Sequence, residues 1–219
     1  MEVRRPDAAW TSLARMTGWT GIAALVLLFA PILAISTLGE PPLEATSAEA
    51  AEFFVALQAG WAQAAEATAS LAMVVLLWFV VGLALLLRRA EGDPPWRSGV
   101  ALVSGALLTA YGVLDASWDS AAHRADEIDP ALAGYAFDIG NIGFANAWLA
   151  MASLALATGW VGLSSGWLPR WVAWAALVSA AGLVVARYLW YVDGVWLAPY
   201  AVFWVWVIAL CVRLIRRPA

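Results

Sequence analysis

Three carboxylates and two amides hold most of the chemistry available to this chain. Asp138, Asn141 and Asn146 fall within Tyr135-Ala-Phe-Asp138-Ile-Gly-Asn141-Ile-Gly-Phe-Ala-Asn146. At helical spacing Asp138 and Asn141 share a face with Gly134 and Ala145, a small-and-polar stripe that lets neighbouring helices approach and hydrogen-bond. An ionised group at membrane depth is costly, so Asp138 is expected to turn inward. There it would pair with Arg187 or sit among amides as part of a structural network, or it would serve a proton or cation relay or a ligand site. Asp115, Asp119 and His123 form a second group, spaced i, i+4 and i+8. Two carboxylates and an imidazole suit a divalent metal, with Asp138 as the natural further ligand, unless the segment from Asp119 to Asp129 is simply a solvated acidic loop.

Absences narrow this chemistry. The sequence has no lysine, so no Schiff base to retinal, pyridoxal phosphate or a carbonyl substrate can form. A single histidine rules out bis-histidine haem and a multi-histidine zinc site within one chain. The lone Cys211 cannot close an internal disulfide.

The elements that must position these residues are membrane spans. Of 219 residues 63% are apolar and 13% charged, with a mean hydropathy of +0.78. This excludes an ordinary soluble enzyme and a disordered tail, and the net charge of −4 with no basic cluster excludes a nucleic-acid binder. Crossing a hydrocarbon core takes about 20 apolar residues. Six such runs are read at about 17–38, 64–88, 97–118, 130–160, 169–190 and 195–215. Proline and aspartate punctuate them as helices: Asp93-Pro94-Pro95, Asp129-Pro130 and Pro169 each stand at a helix start. The first run, behind Arg4, Arg5 and Arg15, is longer than a cleaved signal core and is expected to be retained.

The expectation is one all-α membrane domain over 1–219, a bundle of six transmembrane helices. Arginine placement orients it, because short Arg-rich loops stay cytoplasmic. With both termini cytoplasmic, ten arginines lie inside and only Arg124 and Arg187 outside, while Glu40, Glu44, Glu49, Glu52, Asp119, Asp126, Glu127, Asp129 and Asp193 make the outer face acidic. The first outer connection carries a capping box, Thr46 with Glu49, which predicts a short amphipathic helix over about 47–59. Phe53, Phe54 and Leu57 would lie at the outer interface or over the bundle mouth. Trp10, Trp19, Trp61, Trp96, Trp118, Trp167, Trp171, Trp190 and Trp196 read as a headgroup belt, whereas Trp204 and Trp206 fall mid-span, against lipid or lining a cavity.

Short matches, Leu71-Ala72-Met73 with Leu149-Ala150-Met151 and Ala101-Leu102-Val103-Ser104 with Ala176-Leu177-Val178-Ser179, raise a parallel duplication of spans 2 and 3 as spans 4 and 5.

Three resemblances follow from these motifs. The Asp-and-His group resembles the ceramidase-related membrane hydrolases, whose zinc is held by several histidines and an aspartate; one histidine departs from that pattern. Asp115-x-x-x-Asp119 is similar to a phosphatidyl-transferase motif without its surrounding glycine, alanine and arginine pattern. Over most of its length the chain resembles a bacterial family of small, roughly six-span membrane proteins of unknown function. The residues that carry this are Ala48-Glu49-Ala50-Ala51-Glu52-Phe53-Phe54, Leu77-Trp78-Phe79, Leu87-Arg88-Arg89-Ala90-Glu91-Gly92 and Gly166-Trp167-Leu168-Pro169-Arg170-Trp171-Val172-Ala173-Trp174. That resemblance implies a multi-pass protein of the bacterial cytoplasmic membrane and brings no activity with it.

The first functional expectation is a non-enzymatic protein that binds or conducts a small solute, cation or proton through an outward-facing polar pocket of Asp138, Asn141, Asn146 and Asp115, with Arg187 as counter-charge and no resident cofactor. The alternatives are a hydrolase acting on outer-leaflet lipid with a divalent metal on Asp115, Asp119 and His123, or a structural subunit. Membrane lipids are the expected partners, with a second copy or another membrane protein as candidates and no nucleic acid.

Overall fold

A computed structural model describes residues 8–114, 116–192 and 194–216. They form eight α-helices: α1 (Ala8–Ile35), α2 (Ser47–Leu57), α3 (Gly60–Glu91), α4 (Trp96–Leu114), α5 (Ser117–His123), α6 (Pro130–Ser165), α7 (Arg170–Tyr188) and α8 (Leu197–Arg216). A single 3-10 turn, Ser36–Leu38, follows α1. There is no strand among the described residues. Six helices, α1, α3, α4, α6, α7 and α8, are long and apolar enough to cross a membrane, and the chain is a multi-pass membrane protein.

Local chemistry sets the boundaries. Asp129 caps α6, its Oδ1 accepting the Ala131 amide at 2.8 Å, with Pro130 in the first turn. Gly166, at φ +69°, ends the same helix in the left-handed region. Thr46 and Glu49 make the expected capping box, the Glu49 carboxylate accepting the Thr46 amide at 2.7 Å and the Thr46 hydroxyl accepting the Glu49 amide at 3.3 Å.

The six long helices close a ring in chain order: α1 packs on α3, α3 on α4, α4 on α6, α6 on α7, α7 on α8, and α8 returns to α1. Small residues permit this closeness. A Cβ at Gly159 would stand 2.8 Å from the Ala173 carbonyl oxygen of α7, so α6 and α7 touch backbone to backbone. Ser104 of α4 meets Ser153 of α6, Oγ to Oγ at 2.7 Å. The core between helices is rich in large residues, with Phe79, Leu83, Met151, Leu183, Phe203 and Leu210 all nearly inaccessible. The paired positions of the candidate repeat share burial: Met73 and Met151, Ala101 and Ala176, and Ser104 and Ser179 all face inward.

At the arginine-rich end a buried carboxylate ties α3 to α4. Glu91 accepts the Arg97 and Ser98 amides at 2.9 and 2.8 Å and pairs with Arg97 Nε at 2.7 Å. Arg97 also donates from Nη1 to Ser164 Oγ at 2.9 Å and stacks against Trp160, which brings the end of α6 level with the start of α4.

That level fixes the height of everything else. The 36 residues of α6 span about 54 Å at a rise of about 1.5 Å per residue, against a hydrocarbon core of about 30 Å. The surplus projects at the arginine-poor end, where α2 and α5 lie against it and bury a second core of Phe53, Phe54, Leu57, Ala121, Ala133 and Phe137. Phe53, Phe54 and Leu57 therefore fold over the bundle mouth rather than into lipid, while Glu49 and Glu52 remain exposed.

The same arithmetic corrects the reading of Asp138. Counted from Ser165 it stands about 40 Å up, beyond a 30 Å slab, because the helix does not begin at the membrane boundary. Its phase also differs from expectation. Phe137, Gly140 and Asn141 form the inward face, and Asp138 falls on the exposed side with Leu132, Tyr135 and Ile139. It has no hydrogen bond or ion pair among the described residues.

Candidate functional site

A cavity of about 650 Å³ opens at the arginine-poor end, between the ring and its cap. From α6 it takes Gly140, Asn141, Phe144, Ala145 and Trp148, residues three, four and eight apart, so one helical stripe forms a wall about 12 Å deep. Trp196, just before α8, and Tyr200, in its first turn, face it, with Tyr111 and Gly112 from the end of α4 and Phe29 and Ile32 from α1. The loop 40–43 and the α5 residues Ser117, Trp118 and Asp119 make the rim. A second hollow, about 520 Å³, lies on the other side of the same loop, with Glu40, Glu49 and Glu52 around it.

The lining is chiefly aromatic. Trp148 and Trp196 stack with centroids 5.7 Å apart and planes 22° from parallel. Phe144 packs edge-on against Trp148, Trp196 and Tyr200 at 5.4, 5.8 and 5.5 Å. Tyr200 continues to Trp204 at 5.9 Å, and Trp204 to Phe29 at 5.3 Å. Such edge-to-face contacts stabilise each pair by about 0.5–1.5 kcal/mol beyond burial. At the rim Trp118 stacks on Phe137 (5.5 Å, 7°) and meets Phe53 edge-on at 5.4 Å, joining α5 to α6 and α2. Gly140 is required there, since a Cβ would run into the Trp118 indole.

Two polar atoms of the lining lack partners. Asn141 is 9% exposed and its Nδ2 is buried without a hydrogen bond, as is the Trp148 Nε1. Buried donors are nearly always paired in folded proteins; among the described residues Thr158, Trp204 and Trp206 also hold unpartnered atoms deeper in the bundle, and Asn141 and Trp148 hold theirs on the cavity wall. Tyr111, by contrast, donates to the Gly140 carbonyl at 3.3 Å. The charged lining residues are both acids. Glu40 keeps solvent contact at the rim, while the surrounding walls desolvate it enough to raise its carboxyl above the usual range. Asp119 lies beside Glu66 of α3, carboxyl next to carboxyl.

Of the residues singled out by sequence, the structure brings Asn141 and Asp119 to this cavity. Asn146 and Arg187 find one another instead, Arg187 Nε donating to Asn146 Oδ1 at 2.8 Å outside the cavity. Arg187 is thus tied to an amide and not to Asp138, which faces outward. Asp115 lies outside the described residues. The helical run assumed through Asp119 and His123 is interrupted at Ala116, which leaves the helical region at φ −114° and ψ 18° just before α5. Asp119 and His123 remain one turn apart on α5, and both are exposed. Among the described residues no three His, Cys, Asp or Glu side chains gather as metal ligands.

Sequence reasoning missed Glu66 and the aromatic box. Trp118, Trp190 and Trp196, assigned to the headgroup belt, line the cavity, and Trp204 and Trp206 pack in the core at 7% and 2% exposure. The available signal was spacing: Phe144 with Trp148, and Trp196, Tyr200 and Trp204, recur every fourth residue on single faces.

Compared with protein-family models, with curated proteins and with solved structures, the chain matches none.

Proposed function

We propose that this is a non-enzymatic protein of a bacterial cytoplasmic membrane that binds a small solute from the outer side. The observation that carries the reading is the roughly 650 Å³ cavity, within the range of about 300–1,000 Å³ usual for small-molecule sites, with its orphaned Asn141 and Trp148 donors. The side rests on charge. Among the described residues Arg15, Arg88, Arg89, Arg97, Arg170, Arg213 and Arg216 stand at one end of the ring and only Arg124 and Arg187 at the other, which favours a cytoplasmic arginine-rich end and an outward cavity. Beneath Trp148 and Tyr200 the ring is filled by Phe203, Trp204 and Trp206, which favours binding over open conduction.

Thermal unfolding of purified protein against a panel of amines, sugars and carboxylates tests this. At least one class should raise the midpoint in the native chain and not in Leu197→Trp, which narrows the mouth at an exposed position. Stabilisation that persists in Leu197→Trp, or is absent throughout, refutes it.

A further inference from the structure

We infer that the cavity takes an organic cation: an ammonium group on an apolar body that also carries a hydrogen-bond acceptor. The inference rests on the reading of the cavity as a ligand site and specifies its chemistry. Four features of the wall converge on it. Phe144, Trp148, Trp196 and Tyr200 offer aromatic rings within one cluster, and such rings attract a desolvated cation through their negative faces. The charged side chains of the lining, Glu40 and Asp119, are carboxyls, and the adjoining hollow adds Glu49 and Glu52, so the approach concentrates cations and repels anions. The apolar part of the wall suits a hydrocarbon body. Asn141 Nδ2, an unpartnered donor on the cavity wall, suits an acceptor oxygen on the same ligand, which a simple metal cation or a bare hydrocarbon does not supply.

Equilibrium dialysis in neutral maltoside micelles, against protein-free micelles, isolates charge recognition. The probes share a benzoate ester body: benzoylcholine, its uncharged carbon isostere 3,3-dimethylbutyl benzoate, and the anion 3-sulfopropyl benzoate. Benzoylcholine should bind at least about ten-fold more tightly than the isostere, with the sulfonate weakest. The double variant Glu40→Gln, Asp119→Asn and the single variant Trp196→Leu should each lose several-fold in benzoylcholine affinity, with unchanged melting behaviour showing that they fold. Displacement by dihexanoylphosphatidylcholine would support the cation inference with a lipid headgroup as source; binding indifferent to it would support the inference with a free cation. Equal retention of benzoylcholine and isostere, or variants that bind the cation as well as the native chain, would overturn the cation and leave the cavity a site for neutral solutes. Retention of none of the three would remove the cavity reading itself.

Discussion

The arginine-rich end of the ring and the cap opposite it are closed by different means. At the first, a single carboxylate, Glu91, gathers two backbone amides and the Arg97 guanidinium, and the helices beyond it touch through glycine, alanine and serine. At the second, Phe53, Phe54 and Trp118 of the short helices α2 and α5 interlock around Leu57 with Phe137 from the overhanging first turns of α6. Inside a bilayer, lipid tails compete equally for apolar side chains, so association depends on close packing and directional bonds. Above the bilayer, water restores the hydrophobic driving force, and large aromatics stabilise the assembly by leaving it. The cavity sits at the junction, where aromatic rings from both regions meet buried amide and indole donors.

Phe54→Ala strikes the cap hardest. Removing a fully buried ring should destabilise it by about 3–5 kcal/mol, read as hydrogen exchange that rises in α2 and α5 while the ring's own amides stay protected. Uniform loss of protection would erase the distinction between the regions. Glu91→Gln at the opposite end should cost about 2 kcal/mol, because the Arg97 side chain loses its charged partner, and should leave α2 and α5 unaffected in the same measurement. Thr46→Ala removes half the capping box for about 1 kcal/mol, confined to fraying of α2.

A smaller effect concerns Glu40. Its raised carboxyl favours the neutral form in the folded chain, so its contribution to stability is fully present below the unfolded value and is lost as pH rises through the folded one. The melting midpoint of the native chain relative to Glu40→Gln should therefore fall over that window, whereas affinity for a cation should rise across it. Asp138→Asn should be smallest, within about 0.5 kcal/mol and without effect on solute binding, as expected of an exposed group without partners. A large loss there would return that carboxylate to the centre of the problem.

Composition and punctuation made the six spans and the capped outer helix legible, since Pro130, Gly166 and the Thr46–Glu49 box act locally. Among the described residues the helices begin and end within a few residues of the expected runs, apart from α1, which is already helical at Ala8 where the expected run opens near 17. Depth was not legible, because it depends on how far α6 overruns the slab, and that is set by Ser164 meeting Arg97 across 67 residues of sequence. Nor was the phase of Asp138, which lies about 60° from Asn141 around the helix, enough to put one outside and the other within. The aromatic box needed α6 and α8 to face each other, a fact of ring closure rather than of any one segment.

The near-parallel indoles of Trp148 and Trp196 have an optical consequence. Two chromophores held face to face couple their transition dipoles, so the folded protein should show a paired positive and negative band in circular dichroism that isolated tryptophans lack. Anything wedged into the cavity that shifts either ring alters the splitting, which lets the protein report its own occupancy without a label.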